Sequence, residues 1–124
     1  CLIDKKESTI EYARAGHTPL LLYVREHTRA INPDGSALGL LPSELSDFDT
    51  LCTEITPQTT MLMFTDGINE FFGISRLTEI YKDSCVRGDS LEGTIDTIMK
   101  AVDTYSEVPK DQEDDQTMVL IKHI

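Results

Sequence analysis

Two groups of acids stand at the ends of apolar runs. Asp66 stands at the C-terminal end of "TMLMFT", and Asp114 and Asp115 stand just before the N-terminal end of "TMVLI" in "DDQTMVLI". If the two runs are antiparallel neighbours in one sheet, the end of the first lies beside the start of the second. Asp66 and either Asp114 or Asp115 then share one edge of the sheet. Carboxylates held close raise each other's pKa and cost stability unless a cation offsets them. Hard divalent ions such as Mg²⁺ and Mn²⁺ favour these oxygen donors. Gly67 suits such a place, because a residue without Cβ lets backbone approach closely. The competing reading is plain: "DG" is a common turn dipeptide and an "EDD" run is commonly a solvated loop. Spacing alone leaves both open.

Other chemistry is harder to find. His17, in "ARAGHTP", reads as a structural residue of a turn, and His27 and His123 read as surface residues. There is no GxSxG, HExxH or phosphate-loop motif, and no spacing suggestive of a Ser-His-Asp triad. Several acids without an obvious nucleophile favour metal-assisted chemistry over covalent catalysis.

The 124 residues carry 22 acidic and 11 basic side chains, a net charge of −11. That balance argues against nucleic acid, whose binding depends on Lys and Arg neutralising phosphates. It would also repel an anionic substrate unless a cation intervened. Cys1, Cys52 and Cys85 are odd in number and lack CxxC spacing, so reduced thiols in the cytoplasm are expected, with Cys85 a small core residue. No run is long enough to span a membrane, and no signal-peptide pattern opens the chain. Because Cys1-Leu2-Ile3 already reads as strand, the sequence is expected to be a piece of a longer protein.

The elements that must position the acids follow from periodicity. "CLID" and "TIEYARA" read as a hairpin with Ile10 and Tyr12 on one face, and "LLLYV" as a buried strand. "EHTR" reads as a turn into the Pro- and Gly-rich loop "AINPDGSALGLLPSE", with Asp34-Gly35 a turn signal. "DTLCTEI" and "TMLMFT" read as strands separated by the turn "TPQT". Helices are expected over 74–86, from Leu77, Ile80, Tyr81 and Cys85, and over 91–105, from Leu91, Ile95, Ile98, Met99 and Val102, the second capped by Ser90. "EVPKDQEDDQ" reads as a polar loop before a last buried strand. The fold class is α+β, mostly antiparallel sheet with two helices in the C-terminal half, in one domain over residues 1–124.

Four segments in order, "IEYARAGHTPLLLY", "GSALGLLP", "MLMFTDGINEFFG" and "DDQTMVLIK", resemble bacterial PP2C-like (PPM) serine/threonine phosphatases of the SpoIIE/RsbU type. The resemblance spans almost the whole chain but only the C-terminal half to two-thirds of the family's domain. It implies a partial α-β-β-α sandwich with two Mn²⁺ or Mg²⁺ ions at one end. It also implies hydrolysis of phosphoserine or phosphothreonine proteins by metal-activated water, the metals stabilising charge on the phosphoryl oxygens. Asp66 matches the metal-binding aspartate of the family's "TDG" motif, and Asp114 the first aspartate of its "DD" motif. Gly67 would contribute through its backbone, and Asp115 as a neighbouring acid. The implied substrate is a phosphorylated anti-sigma-factor antagonist or similar STAS-type regulator, and the implied setting is cytoplasmic, as a module of a larger sensor.

Departures from the pattern matter. The family's upstream aspartate that bridges both metals and its regulatory helices lie outside this sequence, so this segment alone is expected to be inactive. Its sheet faces and edges are also expected to favour self-association. Arg14 stands where asparagine is common before "AGH", and Gln116 where an aliphatic residue is common after "DD". The alternatives to an active phosphatase are a catalytically dead PPM-like signalling module and an unrelated α+β binding domain in which "TDG" is only a turn.

Overall fold

The computed structural model describes residues 1–105 and 114–124. Seven strands form two antiparallel sheets. The first sheet has the order β1 (Leu2–Asp4), β2 (Thr9–Ala13), β5 (Thr50–Glu54). The second has the order β4 (His27–Ile31), β3 (Leu20–Val24), β6 (Thr60–Phe64), β7 (Met118–Lys122). Two helices, α1 (Gly73–Arg87) and α2 (Leu91–Tyr105), pack on the four-stranded sheet. The result is a β-β-α stack, the part of the sandwich expected from the sequence.

The apolar runs explain the layering. Along β3, Leu20 and Leu22 face the three-stranded sheet and join Ile10, Tyr12, Ile55 and Met61 in one core. Leu21 faces the other way, into a second core with Leu62, Phe64, Leu77, Tyr81, Ile98 and Val102. β3 and β6 are thus covered on both faces, which is why they read as unbroken apolar runs rather than alternating ones. The helices pack by the stripes read from the sequence, and Ser90 Oγ accepts the Gly93 N–H at 3.1 Å, as a helix cap should.

Three local expectations need correction. "EHTR" is not a turn: Arg25 and Glu26 alone make it, both with left-handed φ (48° and 66°), and His27–Ile31 pairs fully with β3. This strand escapes detection because it lies at a sheet edge, with His27, Arg29 and Ala30 exposed. Asp34-Gly35 is likewise no turn. Gly35 forms an isolated antiparallel bridge with Phe48, and a Cβ there would stand 1.8 Å from the Arg14 carbonyl oxygen. Glycine is needed at 35 for close backbone approach, not for turning. The last strand is only half buried, and Val119 is 47% exposed.

Residues 106–113, most of the expected polar loop, lie outside the described residues. All three cysteines are free, Cys1 and Cys52 exposed and Cys85 half-buried, its thiol pKa raised by burial. Among the described residues no helix is long and apolar enough to cross a membrane.

Candidate functional site

β6 and β7 are antiparallel neighbours, with Phe64 opposite Met118, so the residues after Phe64 run beside those before Met118. Thr65 closes this junction. Its N–H donates to the Thr117 carbonyl at 2.9 Å, its hydroxyl donates to the Asp115 carbonyl at 2.8 Å, and the same oxygen accepts the Thr117 N–H at 2.9 Å. The pairing required to bring Asp66 next to Asp114 and Asp115 is therefore present.

Gly67 shows how close the approach is. A Cβ at this buried position would lie 2.8 Å from the Asp115 carbonyl oxygen and 3.0 Å from that of Asp114. Asp66 itself opens a 3-10 turn over Asp66–Ile68, its carbonyl accepting the N–H groups of Asn69 and Glu70, both at 2.9 Å. "TDG" thus ends a strand and starts a turn, and the two readings of its aspartate are compatible. Asp66, Asp114 and Asp115 are all exposed, and Asp114 Oδ1 accepts the Asp115 N–H at 2.9 Å. The donors gathered here are carboxylate and carbonyl oxygens, the type a hard divalent cation takes. They fit such an ion as a partial set: among the described residues no three His, Cys, Asp or Glu side chains converge as a metal site.

The loop between β2 and β3 supplies a second wall. Arg14, Gly16, His17, Thr18, Pro19 and Asp66 line a cleft of about 260 Å³. Thr18 pins the loop to the end of β6, its hydroxyl donating to the Phe64 carbonyl. Tyr12 supports it from the core, donating its hydroxyl to the Thr18 carbonyl at 3.0 Å; burial raises the Tyr12 pKa, which keeps that proton in place. Because the one hydroxyl proton of Thr18 goes to Phe64, its contact with His17 Nδ1 at 3.1 Å requires the proton on Nδ1. His17, read from the sequence as a structural turn residue, is exposed and lines the cleft with Asp66.

Sequence reasoning also passed over Thr65 as a strand end and Arg14 as a mere departure. The signal for Thr65 was its place directly before Asp66. Nothing local marks Arg14, because Pro33 and Asp66, which fix its role beside the His17 carbonyl, lie nineteen or more positions away. A roomier groove of about 470 Å³ lined by Arg25, His27, Arg29, Cys52 and Glu54, among others, carries none of these acids.

The sequence pattern of the Stage II sporulation protein E (SpoIIE) family matches residues 1–124. By sequence, the chain matches none of the curated proteins. Among solved structures it is similar to the PP2C phosphatase domain, with a fragment of the regulatory domain, of Bacillus subtilis SpoIIE: 16% identity, 97% of this chain and 35% of that one, TM-score 0.74. It is similar to the RsbU and RsbW domains of a Mycobacterium tuberculosis protein at 19% identity, over 95% of this chain and 34% of that one, TM-score 0.73. It also resembles the Bacillus subtilis SpoIIE phosphatase domain presoaked with manganese, at 16% identity, over 98% of this chain and 54% of that one, TM-score 0.66. The chain thus spans between about a third and just over half of these structures. The match along the full sequence and the shared two-sheet, two-helix fold lead to one conclusion: the chain belongs to the SpoIIE family of PP2C-type phosphatase domains.

Proposed function

We propose that this chain is the C-terminal part of a metal-dependent protein serine/threonine phosphatase domain, with Asp66 and Asp114 as ligands of Mn²⁺ or Mg²⁺. The observation that carries the reading is the contact of Gly67 with the backbone of Asp114 and Asp115, which seats both acidic segments at one sheet edge. Bound there, the metal would lower the pKa of water and offset charge on the phosphoryl oxygens. The chain's own part is to hold the turn that carries Asp66 against the Asp114–Asp115 segment, with Gly67 allowing the approach and Asp115 adding negative charge beside Asp114. Two carboxylates suffice for a Mg²⁺ ion that keeps several waters, whereas a dinuclear centre needs more. Residues 1–124 alone are therefore expected to be inactive, and the complete protein active.

The substrate in this reading is a phosphoserine or phosphothreonine protein, in particular a STAS-type anti-sigma-factor antagonist. The union of RsbU and RsbW domains in one similar structure supports a regulatory substrate of that kind. Free thiols throughout agree with a cytoplasmic setting.

The test is turnover of a phosphoserine peptide by the full-length protein with Mn²⁺, alongside calorimetric titration of Mn²⁺. Asp66→Ala and Asp114→Ala are each expected to lower turnover at least about 100-fold and to weaken Mn²⁺ binding. Wild-type turnover in either variant removes that residue from the site. A full-length protein that neither binds Mn²⁺ nor turns over would favour a catalytically dead signalling module.

A further inference from the structure

We propose that Arg14 is the residue of this chain that grips the phosphoryl group of the substrate. Among the six residues lining the cleft beside Asp66, Arg14 is the one with a permanent positive charge. Its guanidinium is held from two sides. Nε donates to the Pro33 carbonyl at 3.0 Å and Nη1 to the His17 carbonyl at 2.9 Å. Its backbone is held as well, by the close approach of Gly35 to the Arg14 carbonyl. The loop 33–37 therefore clamps this residue at both ends.

The chemistry of those contacts is informative. Both acceptors are backbone carbonyls, not carboxylates, so they orient the positive charge without neutralising it. They occupy two of the guanidinium's five N–H donors. An oriented guanidinium with donors to spare matches two oxygens of a phosphate, the geometry in which arginine binds best. The chain needs such a device, because its net charge of −11 repels a dianionic phosphoester. A purely structural arginine would serve as well with its charge paired, and 22 acids were available for that.

The inference rests on the phosphatase reading, and the test separates the two. In the full-length protein with Mn²⁺, Arg14→Ala is expected to raise KM for a phosphoserine peptide by about 10- to 100-fold. It is expected to weaken competitive inhibition by inorganic phosphate equally, with kcat much less affected. Mn²⁺ affinity should stay at the wild-type value, while the melting temperature should fall modestly with the two lost hydrogen bonds to the Pro33 and His17 carbonyls. Arg14→Lys, which keeps the charge but loses the planar fork, is expected to fall between. An unchanged KM and phosphate inhibition in either variant overturns the proposal, as does a loss matched by an equal loss of Mn²⁺ affinity. If Arg14→Ala fails to fold, Arg14→Lys alone decides. If the wild type binds inorganic phosphate through Arg14 in calorimetry yet does not turn over, the phosphatase reading fails and the anion site stands.

Discussion

Gly67 sits against the backbone of Asp114 so closely that a Cβ at 67 would be 3.0 Å from the Asp114 carbonyl oxygen and nearer still to that of Asp115. The obstructing atoms are backbone, so they cannot rotate away as a side-chain tip could. Gly67→Ala must push the 114–115 segment outward, at a cost of about 1–3 kcal/mol. We expect a lower melting temperature together with weaker Mn²⁺ binding by calorimetry. An alanine variant equal to wild type in both would show that the approach of these segments does not matter.

Thr65 makes the bond that holds the same junction. Thr65→Val keeps the shape and removes a hydroxyl that both donates to Asp115 and accepts from Thr117. Water can reach these groups, so the cost to stability is expected to be only about 1 kcal/mol. The effect on Mn²⁺ affinity should be larger, about 10- to 100-fold, as for other residues that orient metal ligands. Thr65→Ser should restore it. Equal Mn²⁺ affinity in the valine and serine variants would count against the role.

A third prediction concerns pH and lies away from the site. Asp89 accepts hydrogen bonds from Arg87 Nη2 at 2.7 Å and from Ser84 Oγ at 2.6 Å, and these hold its pKa below the usual carboxylate value. With its one hydroxyl proton given to Asp89, Ser84 Oγ accepts from the Thr94 hydroxyl at 2.9 Å, so the cluster ties the end of α1 to α2. A lowered folded-state pKa means that the stabilisation is present above the unfolded value, about 3.9, and fades as pH falls through the folded one. The wild type should therefore melt above Asp89→Asn at neutral pH, and the gap should close below about pH 4. Melting curves across that range check it; a gap that persists at low pH would assign the difference to shape rather than charge.

Much of the fold was legible because burial leaves a period. The helix expected over 91–105 has those bounds, since Ile98 and Val102 repeat at helical spacing toward one sheet. β3 and β6 were legible as apolar runs because both of their faces are covered. β4 was not, because an edge strand with exposed residues leaves no such pattern. Gly35 was misread because "DG" looks the same in a turn and at a close contact.

By itself, the sequence determined the element types, the acids at the strand ends and the family resemblance. These are encoded in residue order and hydrophobic period, which act locally. Only the tertiary structure decided that β6 and β7 are neighbours, and so that Asp66–Gly67 lies against Asp114–Asp115. It also decided that Arg14 and His17 face the same cleft as Asp66, and that a loop nineteen residues on orients the arginine. Pairing between strands far apart in sequence depends on which apolar faces pack together, and a single strand's pattern does not name its partner.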